Sequence, residues 1–259
     1  MIANYHTHTW RCNHATGTER QYVENALAAG LQTLGFSDHS PYFFPGDYYS
    51  HFRMRPEQFA DYVETVLKLR EEYKGQIEIP LGLELEFYPK FLPKLLPMLK
   101  DSPLDYLLLG QHFIENEIEA HYSGWPTDQK RLLETYVNQS MDAFQTGLFT
   151  YFAHPDLMRF EGEDRFYREQ MRRLCREARS CGMVLEVNLL GLRGHRNYPD
   201  WRFWEIAAEE NVRACVGVDA HTPDNLRYGD FTGAQELLFK IGISVLEDPL
   251  LAKKDLHKV

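Results

Sequence analysis

The segment IANYHTHTWRCNH, residues 2–14, joins a short apolar stretch to three histidines. Ile2–Tyr5 has the composition of a buried strand, and His6 and His8 follow where that strand is predicted to end. Side chains two residues apart in an extended chain point to the same face, so His6 and His8 can bind one ion together. His14 lies in the following loop and can fold back over the strand end. Alone, the segment leaves metal binding and a structural role as alternatives.

Apolar strands followed by amphipathic helices recur along the chain. The predicted strands are Ile2–Tyr5, Gln32–Phe36, Ile77–Leu83, Tyr106–Leu109, Thr150–Ala153, Met183–Asn188 and Ala214–Val218. Thr18 and Gln21 have capping-box spacing, Pro56 can begin a second helix, and apolar spacing predicts helices over 128–146 and 164–181. This alternation predicts an α/β fold with a parallel sheet. Periodicity alone is compatible with both an open sheet and a closed barrel.

Candidate metal ligands stand at the ends of most predicted strands. Besides His6 and His8 they are His39 in GFSDHSP, Glu84 in PLGLELEF, His112 in LLLGQHF, His154 in TYFAHPD, and Asp219 and His221 in VGVDAH. In a parallel barrel these strand ends meet on one face, where active residues collect. With His14 the set exceeds what one ion needs, so two or three divalent ions are predicted. Imidazole and carboxylate together favour Zn, Fe or Mn over Ca or Mg.

The bulk composition excludes several other classes of protein. The length of 259 residues fits one large domain or two small ones, and the net charge of −10 argues against a general nucleic-acid surface, although not against a small nuclease site. We expect the four cysteines to be reduced thiols, since they form no CxxC pair. The sequence shows neither a secretory signal nor an apolar run long enough to span a membrane, so a cytoplasmic protein is expected. It carries no signal for an oligomeric state.

Other candidate sites are weaker. No GxSxG or phosphate-binding glycine loop occurs, which argues against a serine triad and a P-loop. Glu86 shares a face with Glu84 and is predicted either to orient a ligand, to contact substrate or to lie at the rim. A group of acids could face a cationic substrate or solvent: Glu115, Glu117 and Glu119. The remaining histidines are predicted to have surface or loop roles: His51, His121, His195 and His257.

Taken together, the motifs resemble the polymerase and histidinol phosphatase (PHP) superfamily. The resemblance covers HTHT with a downstream histidine, SDH, GLE with a later strand-end histidine, and HPD followed by VDAH, from Asn4 to His221. It implies a distorted (β/α)7 TIM-like barrel, residues 1–259 as a single domain, with up to three divalent ions at the C-terminal ends of the strands. The implied ligand sets are His6, His8, Glu84 and Asp219 for one ion, Glu84, His112 and His154 for a second, and His14, His39 and His221 for a third.

Longer strings resemble the histidinol-phosphate phosphatase branch of that superfamily, notably RCNHATGTERQYVENALAAGL, HPDLMRF and EVNLLGLRGHRNYP. This resemblance implies a metal-dependent phosphomonoesterase of histidine biosynthesis, which hydrolyses L-histidinol phosphate to L-histidinol and phosphate. It implies catalytic roles for Glu84, Asp219 and His39. Arg159 and Arg193 match the arginines that bind substrate phosphate, and Arg196 is an alternative to Arg193 because the loop spacing does not decide between them.

Some features leave the substrate less defined than the chemistry. Asn4 stands where an Asp is common in the family, and HPD and QHF also depart from the usual strings, but none of these changes removes a ligand. The alternative reading is a PHP-type phosphodiesterase or exonuclease, which the aromatic loop 42–49 would suit and the acidic balance disfavours. A third reading, a metal-binding module without activity, would ordinarily be accompanied by lost ligands.

Overall fold

Short strands alternate with helices along the chain in a computed structural model that describes residues 2–118, 121–227 and 231–252. The strands of this described part are β1 (Ala3–Asn4), β2 (Thr33–Leu34), β3 (Gly82–Leu85), β4 (Tyr106–Leu109), β5 (Phe113–Ile114), β6 (His121–Tyr122), β7 (Tyr151–Phe152), β8 (Val184–Asn188), β9 (Arg213–Gly217) and β10 (Ser244–Val245). Its helices are α1 (Glu19–Ala28), α2 (Phe59–Glu72), α3 (Leu92–Lys100), α4 (Lys130–Gln145), α5 (Asp164–Ser180), α6 (Leu189–Arg193), α7 (Trp201–Glu209), α8 (Asp224–Arg227) and α9 (Phe231–Lys240). Within these residues, none of the helices combines the length and apolar character that crossing a bilayer requires.

Six of the strands form one parallel sheet. Its order is β10-β9-β8-β7-β4-β3, while β1 and β2 form a separate parallel pair and β5 and β6 an antiparallel hairpin. Isolated parallel bridges extend the pairing beyond the strands and join Thr7 to Ala220, Phe36 to Leu81 and His39 to Glu84. The predicted α/β class and parallel sheet are therefore confirmed, and the chain after β1 lies beside the chain after β9.

The predicted strands are present but mostly shorter than expected. β4 has the predicted bounds, whereas the third strand, predicted as Ile77–Leu83, is β3 (Gly82–Leu85). Pro80 has no N–H to donate, so the chain before β3 forms only isolated bridges. Glu84 consequently lies within β3 rather than after it, which corrects the predicted position. The strands β5, β6 and β10 were not predicted.

The structure confirms the predicted ends of several helices. Thr18 caps α1 in a capping box with Gln21. Pro56 begins a short 3-10 turn, and α2 follows it with Phe59, Tyr62, Val66 and Leu69 buried. α4 and α5 lie within two residues of their predicted bounds at each end. These helices pack an apolar stripe against the sheet and leave the strand ends accessible.

A cluster of side chains supports the strand ends from below. The rings of Tyr5 and Tyr106 meet edge to face with 5.4 Å between centroids, and the Tyr106 hydroxyl donates to the Tyr5 carbonyl at 2.7 Å. A side chain at Gly35 or Gly82 would collide with the Tyr106 ring. Because Tyr5 directly precedes His6, this packing fixes the backbone that carries the first histidines.

Candidate metal centre

The end of β1 and the chain after β9 are held side by side. His8 donates its backbone N–H to the Ala220 carbonyl at 3.0 Å, and Val218 donates its N–H to Asn4 Oδ1 at 2.9 Å. As a result, Asp219 Oδ1 lies 3.5 Å from His6 Nε2 and 3.2 Å from His8 Nε2. The period-two argument that placed His6 and His8 on one face thus agrees with the geometry, and Asp219 lies beside both, as the family resemblance implies.

Glu84 lies at the centre of the cluster and contacts five imidazoles. Its Oε2 lies 3.0 Å from His39 Nδ1 and 3.6 Å from Nε2 of both His6 and His8. Its Oε1 lies 3.0 Å from His154 Nε2 and 3.5 Å from His112 Nε2. A Cβ at Gly110 would approach Glu84 Cδ to 2.6 Å, so the neighbouring strand makes room for the carboxylate by having no side chain there.

His14 and His221 form the outer part of the cluster. Their Nε2 atoms lie 2.9 Å apart, and with His39 they present three ring nitrogens within 4.8 Å of one another. The His14 Nδ1 lies 2.8 Å from the Cys12 carbonyl, which holds the ring over the strand ends. The loop histidine therefore does fold back over the site, as predicted.

Several polar atoms of the cluster are buried without a hydrogen-bond partner among the described residues. They are His6 Nε2, both ring nitrogens of His8, His39 Nδ1, Glu84 Oε2 and Asp219 Oδ1. Leaving such groups unsatisfied costs about 1–3 kcal/mol each. These atoms converge on common points, where divalent cations would satisfy them, and the donor set suits Zn, Fe or Mn. The residues present therefore fit metal ions.

A pocket of 590 Å³ opens onto this cluster. It is lined by all of the predicted ligands except His6, which lies deeper and is fully buried. Its other lining residues include Arg196, Tyr198 and a group of aromatic side chains. His51 is exposed in a loop, as predicted, and also lines the pocket. A volume of this size suits a small molecule.

Residues 4–189 match the model of the PHP domain. The chain belongs to the PHP domain family. A probable histidinol-phosphatase of Deinococcus radiodurans is 31% identical over 241 residues, 88% of this chain and 89% of that protein, and one of Schizosaccharomyces pombe is 26% identical over 95% and 89%. A solved structure of Lactococcus lactis histidinol phosphate phosphatase, complexed with Zn, L-histidinol and phosphate, has the same fold with a TM-score of 0.71, 21% identity and 95% of each chain covered.

The two carboxylates of the PHP site are held in their ionised form. Burial by itself would raise the pKa of Glu84, but the neighbouring His112 and His6 outweigh it and hold that pKa well below its usual range. The pKa of Asp219 is also held well below its usual range, since His6 outweighs burial there. Both side chains are therefore anionic at neutral pH, as metal ligation requires.

The outer histidines are held in their neutral form. Burial, together with His221 and His8, lowers the pKa of His14 to about 4. Burial and the neighbouring His8 lower the pKa of His39 well below its usual range. A neutral imidazole has a free ring-nitrogen lone pair, which is the form that binds a cation. The predicted third ligand set is thus ready to coordinate at neutral pH.

Glu186 orients His6, and the sequence analysis missed it. Its Oε2 lies 2.9 Å from His6 Nδ1, so the opposite nitrogen, Nε2, faces the cluster. Asn188 donates to both Glu186 Oε1 at 2.8 Å and Asp219 Oδ2 at 3.0 Å. Gly217 on the next strand leaves space for the Glu186 carboxylate. The available signal was an acid inside the apolar string MVLEVNLL, where a buried charge requires a partner.

Glu86 orients His112 in the same way. Its Oε1 lies 2.9 Å from His112 Nδ1 and accepts at 2.9 Å from Nη2 of Arg53, which is fully buried. The same Arg53 nitrogen donates to Glu117 Oε2 at 2.5 Å. Of the readings proposed for Glu86, the geometry therefore supports orientation of a ligand. Glu117 is buried and lines the pocket, Glu115 is exposed, and Glu119 lies outside the described residues, as does His257.

The carboxylate of Asp38 does not contact the ring of the neighbouring His39. Its Oδ1 accepts from the His39 backbone N–H at 2.9 Å and lies 3.5 Å from His8 Nδ1. Its Oδ2 accepts from the Thr9 hydroxyl. The carboxylate therefore faces the ring of His8, because its bond to the His39 main chain turns it away from the His39 ring.

The structure does not bring the two predicted phosphate arginines to the pocket lining. Arg159 donates from Nε to Glu161 Oε1 at 2.8 Å at an exposed position. Arg193 donates to the carbonyls of Val218 at 3.0 Å and Asn225 at 3.3 Å. Their role in binding substrate phosphate stays a prediction. The alternative, Arg196, does line the pocket.

Proposed function

We propose that this PHP protein is a metal-dependent phosphomonoesterase that hydrolyses L-histidinol phosphate to L-histidinol and phosphate. The observation that carries the proposal is the convergence of orphaned buried donor atoms around Glu84 at the base of a small-molecule pocket. Two relatives that cover most of the chain are named probable histidinol-phosphatases, and the similar Lactococcus structure contains zinc, L-histidinol and phosphate. The chain is therefore a hydrolase of phosphoric monoesters.

In this proposal nine residues hold two or three divalent ions. The sets are His6, His8, Glu84 and Asp219, then Glu84, His112 and His154, and then His14, His39 and His221. When bound, such ions lower the pKa of water and neutralise charge on a phosphoryl group. Glu84, Asp219 and His39 serve the reaction as ligands that also border the pocket.

A closed barrel is part of the same proposal. The isolated bridges Thr7–Ala220 and Phe36–Leu81 support it, since they connect the β1–β2 pair with the chain after β9 and the chain before β3. Such pairing would make one distorted seven-stranded barrel domain and would bring the strand ends around a common centre. The hairpin β5–β6 and the strand β10 then lie outside the seven-stranded ring.

Phosphate release by the metal-loaded protein tests the activity. We expect release from histidinol phosphate to exceed that from glycerol phosphate, and cleavage of a dinucleotide to be negligible. Removal of metal with a chelator should abolish turnover, and re-addition should restore it. Relative to protein kept at a free metal concentration about 100 times the Kd, the metal-free protein should have a free energy of unfolding about 2.7 kcal/mol lower. A protein that releases phosphate from no monoester, or that cleaves the dinucleotide faster, would contradict the proposal.

Arg196 is the arginine best placed to bind the phosphate in this proposal. Its Nη1 donates to the Tyr198 hydroxyl at 3.0 Å, and the Tyr198 ring lies 5.6 Å from that of the candidate ligand His154. Both Arg196 and Tyr198 line the pocket. A guanidinium in this position matches the geometry of phosphate oxygens.

Replacing Arg196 with Met should raise the KM for histidinol phosphate by about tenfold or more, because a hydrogen bond to a charged group is lost. Steady-state kinetics of Arg159→Met and Arg193→Met provide matched comparisons. If either of these changes raises KM more than Arg196→Met does, the phosphate arginine is the one first predicted from the sequence.

A further inference from the structure

The residues that follow the candidate metal ligand His154 form a buried turn, 154–157, which we call the ligand turn. His154 has a φ of +32°, which residues other than glycine rarely adopt, so its surroundings must hold it there. Leu157 donates its N–H to the His154 carbonyl at 3.0 Å, and the Tyr136 hydroxyl donates to the Pro155 carbonyl at 2.9 Å. These contacts fix the main chain of the turn without using the side chain of Asp156.

Asp156 extends from the ligand turn to the beginning of α7. Its Oδ2 accepts from the backbone N–H of Asp200 at 2.6 Å and from Nε1–H of Trp204 at 2.9 Å. Asp156 and Trp204 are both buried. The first N–H groups of a helix have no partner within the helix, so a carboxylate placed there is a favourable acceptor. Asp156 therefore joins the ligand turn to α7 through buried hydrogen bonds.

The segment directly before α7, residues 194–199, carries two polar side chains of the pocket, and we call it the pocket loop. Arg196 Nη1 donates to the Tyr198 hydroxyl at 3.0 Å, and both side chains line the pocket. The loop also contacts the ligand turn directly, since Asn197 Nδ2 donates to the Leu157 carbonyl at 2.8 Å. The pocket loop is thus attached to the ligand turn on both sides of Tyr198.

The position of Tyr198 directs the guanidinium of Arg196. The backbone N–H of Arg196 donates to the Gly191 carbonyl at 3.0 Å, so α6 holds the beginning of the pocket loop. A Cβ at Gly191 would collide with the ring and the carbonyl of Tyr198, which shows how closely α6 and the loop pack. The Tyr198 ring lies 5.6 Å from that of His154. A shift of Tyr198 would therefore move the guanidinium relative to the candidate metal ligands.

We propose that Asp156 is a positioning residue that sets where Arg196 meets the substrate phosphate, by anchoring the end of the pocket loop to the ligand turn. This inference rests on the proposed phosphomonoesterase function and adds to it the residue that places the phosphate arginine. Arg196 is exposed at the pocket, so the direction of its side chain depends on the hydroxyl of Tyr198. Asp156 itself contacts neither metal nor phosphate and acts through Arg196.

Binding of inorganic phosphate to the metal-loaded protein, measured by calorimetry, tests this inference without turnover. We expect Asp156→Ala to raise the Kd for phosphate about fivefold, because a misdirected guanidinium forms a weaker hydrogen bond to the anion. Asp156→Asn should recover most of the loss, since an amide oxygen can accept from the same two N–H groups. Metal content should be the same in both variants as in the unchanged protein.

The double variant Asp156→Ala/Arg196→Met shows whether the two residues act on one contact. If Asp156 acts through Arg196, the double variant binds phosphate no more weakly than Arg196→Met alone, because the contact is already lost. Losses that multiply would show that Asp156 acts elsewhere and would overturn the inference. A fall in the metal content of Asp156→Ala would overturn it too, since the effect would then run through His154.

The matched control is Asp105→Ala, which removes another carboxylate that anchors a backbone N–H. Asp105 Oδ2 accepts from the Leu81 N–H at 2.9 Å, and Asp105 does not line the pocket. Its substitution should lower the midpoint of thermal unfolding and leave the Kd for phosphate as it is. An equal rise of Kd in Asp105→Ala and Asp156→Ala would mean that general destabilisation accounts for the effect.

Asn197→Ala provides a second variant if Asp156→Ala does not fold. It removes the other attachment of the pocket loop and should raise the Kd for phosphate about twofold, because one hydrogen bond between neutral groups is lost. The rise should disappear when Arg196 is already Met. No rise in Asn197→Ala, or an equal rise in both backgrounds, would contradict the inference.

Turnover separates this inference from the proposed function. If the unchanged protein hydrolyses histidinol phosphate and Arg196→Met weakens phosphate binding while Asp156→Ala does not, only the role of Asp156 fails. If no monoester is hydrolysed, the proposed function fails. Losses of phosphate binding that do not multiply between Asp156→Ala and Arg196→Met would support the role of Asp156 even then.

Discussion

Glu84→Gln is expected to reduce the rate of phosphate release by at least about a thousandfold, because removing one member of a catalytic unit costs about as much activity as removing the whole unit. The substitution keeps the shape of the side chain and removes the negative charge that five imidazoles surround. A neutral amide would not supply the negative charge that the proposed shared ligand of two cations provides. Phosphate release and metal content should both be measured on the purified variant, and both should fall.

Two further substitutions give activities and metal contents with which the Glu84→Gln protein can be compared. Glu134→Gln alters an exposed acid on α4 and should leave activity and metal content intact. Glu186→Gln alters the partner of His6 and should cost about 10–100-fold, as is typical for residues that orient a metal ligand. A Glu84→Gln protein that retained its metal and a tenth of its activity would show that Glu84 is not the shared ligand.

Arg53→Met is expected to reduce the free energy of unfolding by about 3–5 kcal/mol, because breaking a buried ion pair leaves an uncompensated charge. Arg53 is fully buried and donates to Glu86, Glu117 and the Ser40 carbonyl, the last at 2.7 Å. Its loss would leave two buried acids without their cation. The midpoint of thermal unfolding should fall by about 10 °C. Measurements on metal-free protein separate this effect from altered metal binding.

The control is the same substitution two residues along the loop. Arg55 is exposed and lies 4.7 Å from the ring of Tyr49, so Arg55→Met should change the unfolding free energy by less than about 1 kcal/mol. Equal stability of Arg53→Met and Arg55→Met would mean that Glu86 and Glu117 are not held as a charged group by Arg53.

The sequence predicts the cluster well because strand ends converge in a parallel sheet. His6, His39, His154 and Asp219 each follow an apolar strand, and that regularity is sufficient to expect a common site. Glu84 was placed correctly in the cluster although its strand begins later than predicted. Pro80 accounts for the difference, since it interrupts the pairing ahead of the strand.

The residues that orient the ligands could not be predicted in the same way. Glu186 reaches His6 only because Gly217 leaves space on the neighbouring strand, and this depends on the register of β8 and β9. The choice between Arg193 and Arg196 depends on the turn between them, where His195 has a φ of +48°. Neither register nor turn geometry is encoded in the spacing of apolar residues.

The hydrogen bond from Val218 to Asn4 joins parts of the chain that are 214 positions apart. Contacts of such long range form late in folding, since the entropy of closing the intervening chain must be lost before they stabilise anything. During synthesis, the first histidines emerge long before Asp219 exists to meet them. The proposed set of His6, His8, Glu84 and Asp219 is therefore complete only when nearly the whole chain has been made, whereas the set of Glu84, His112 and His154 is complete much earlier.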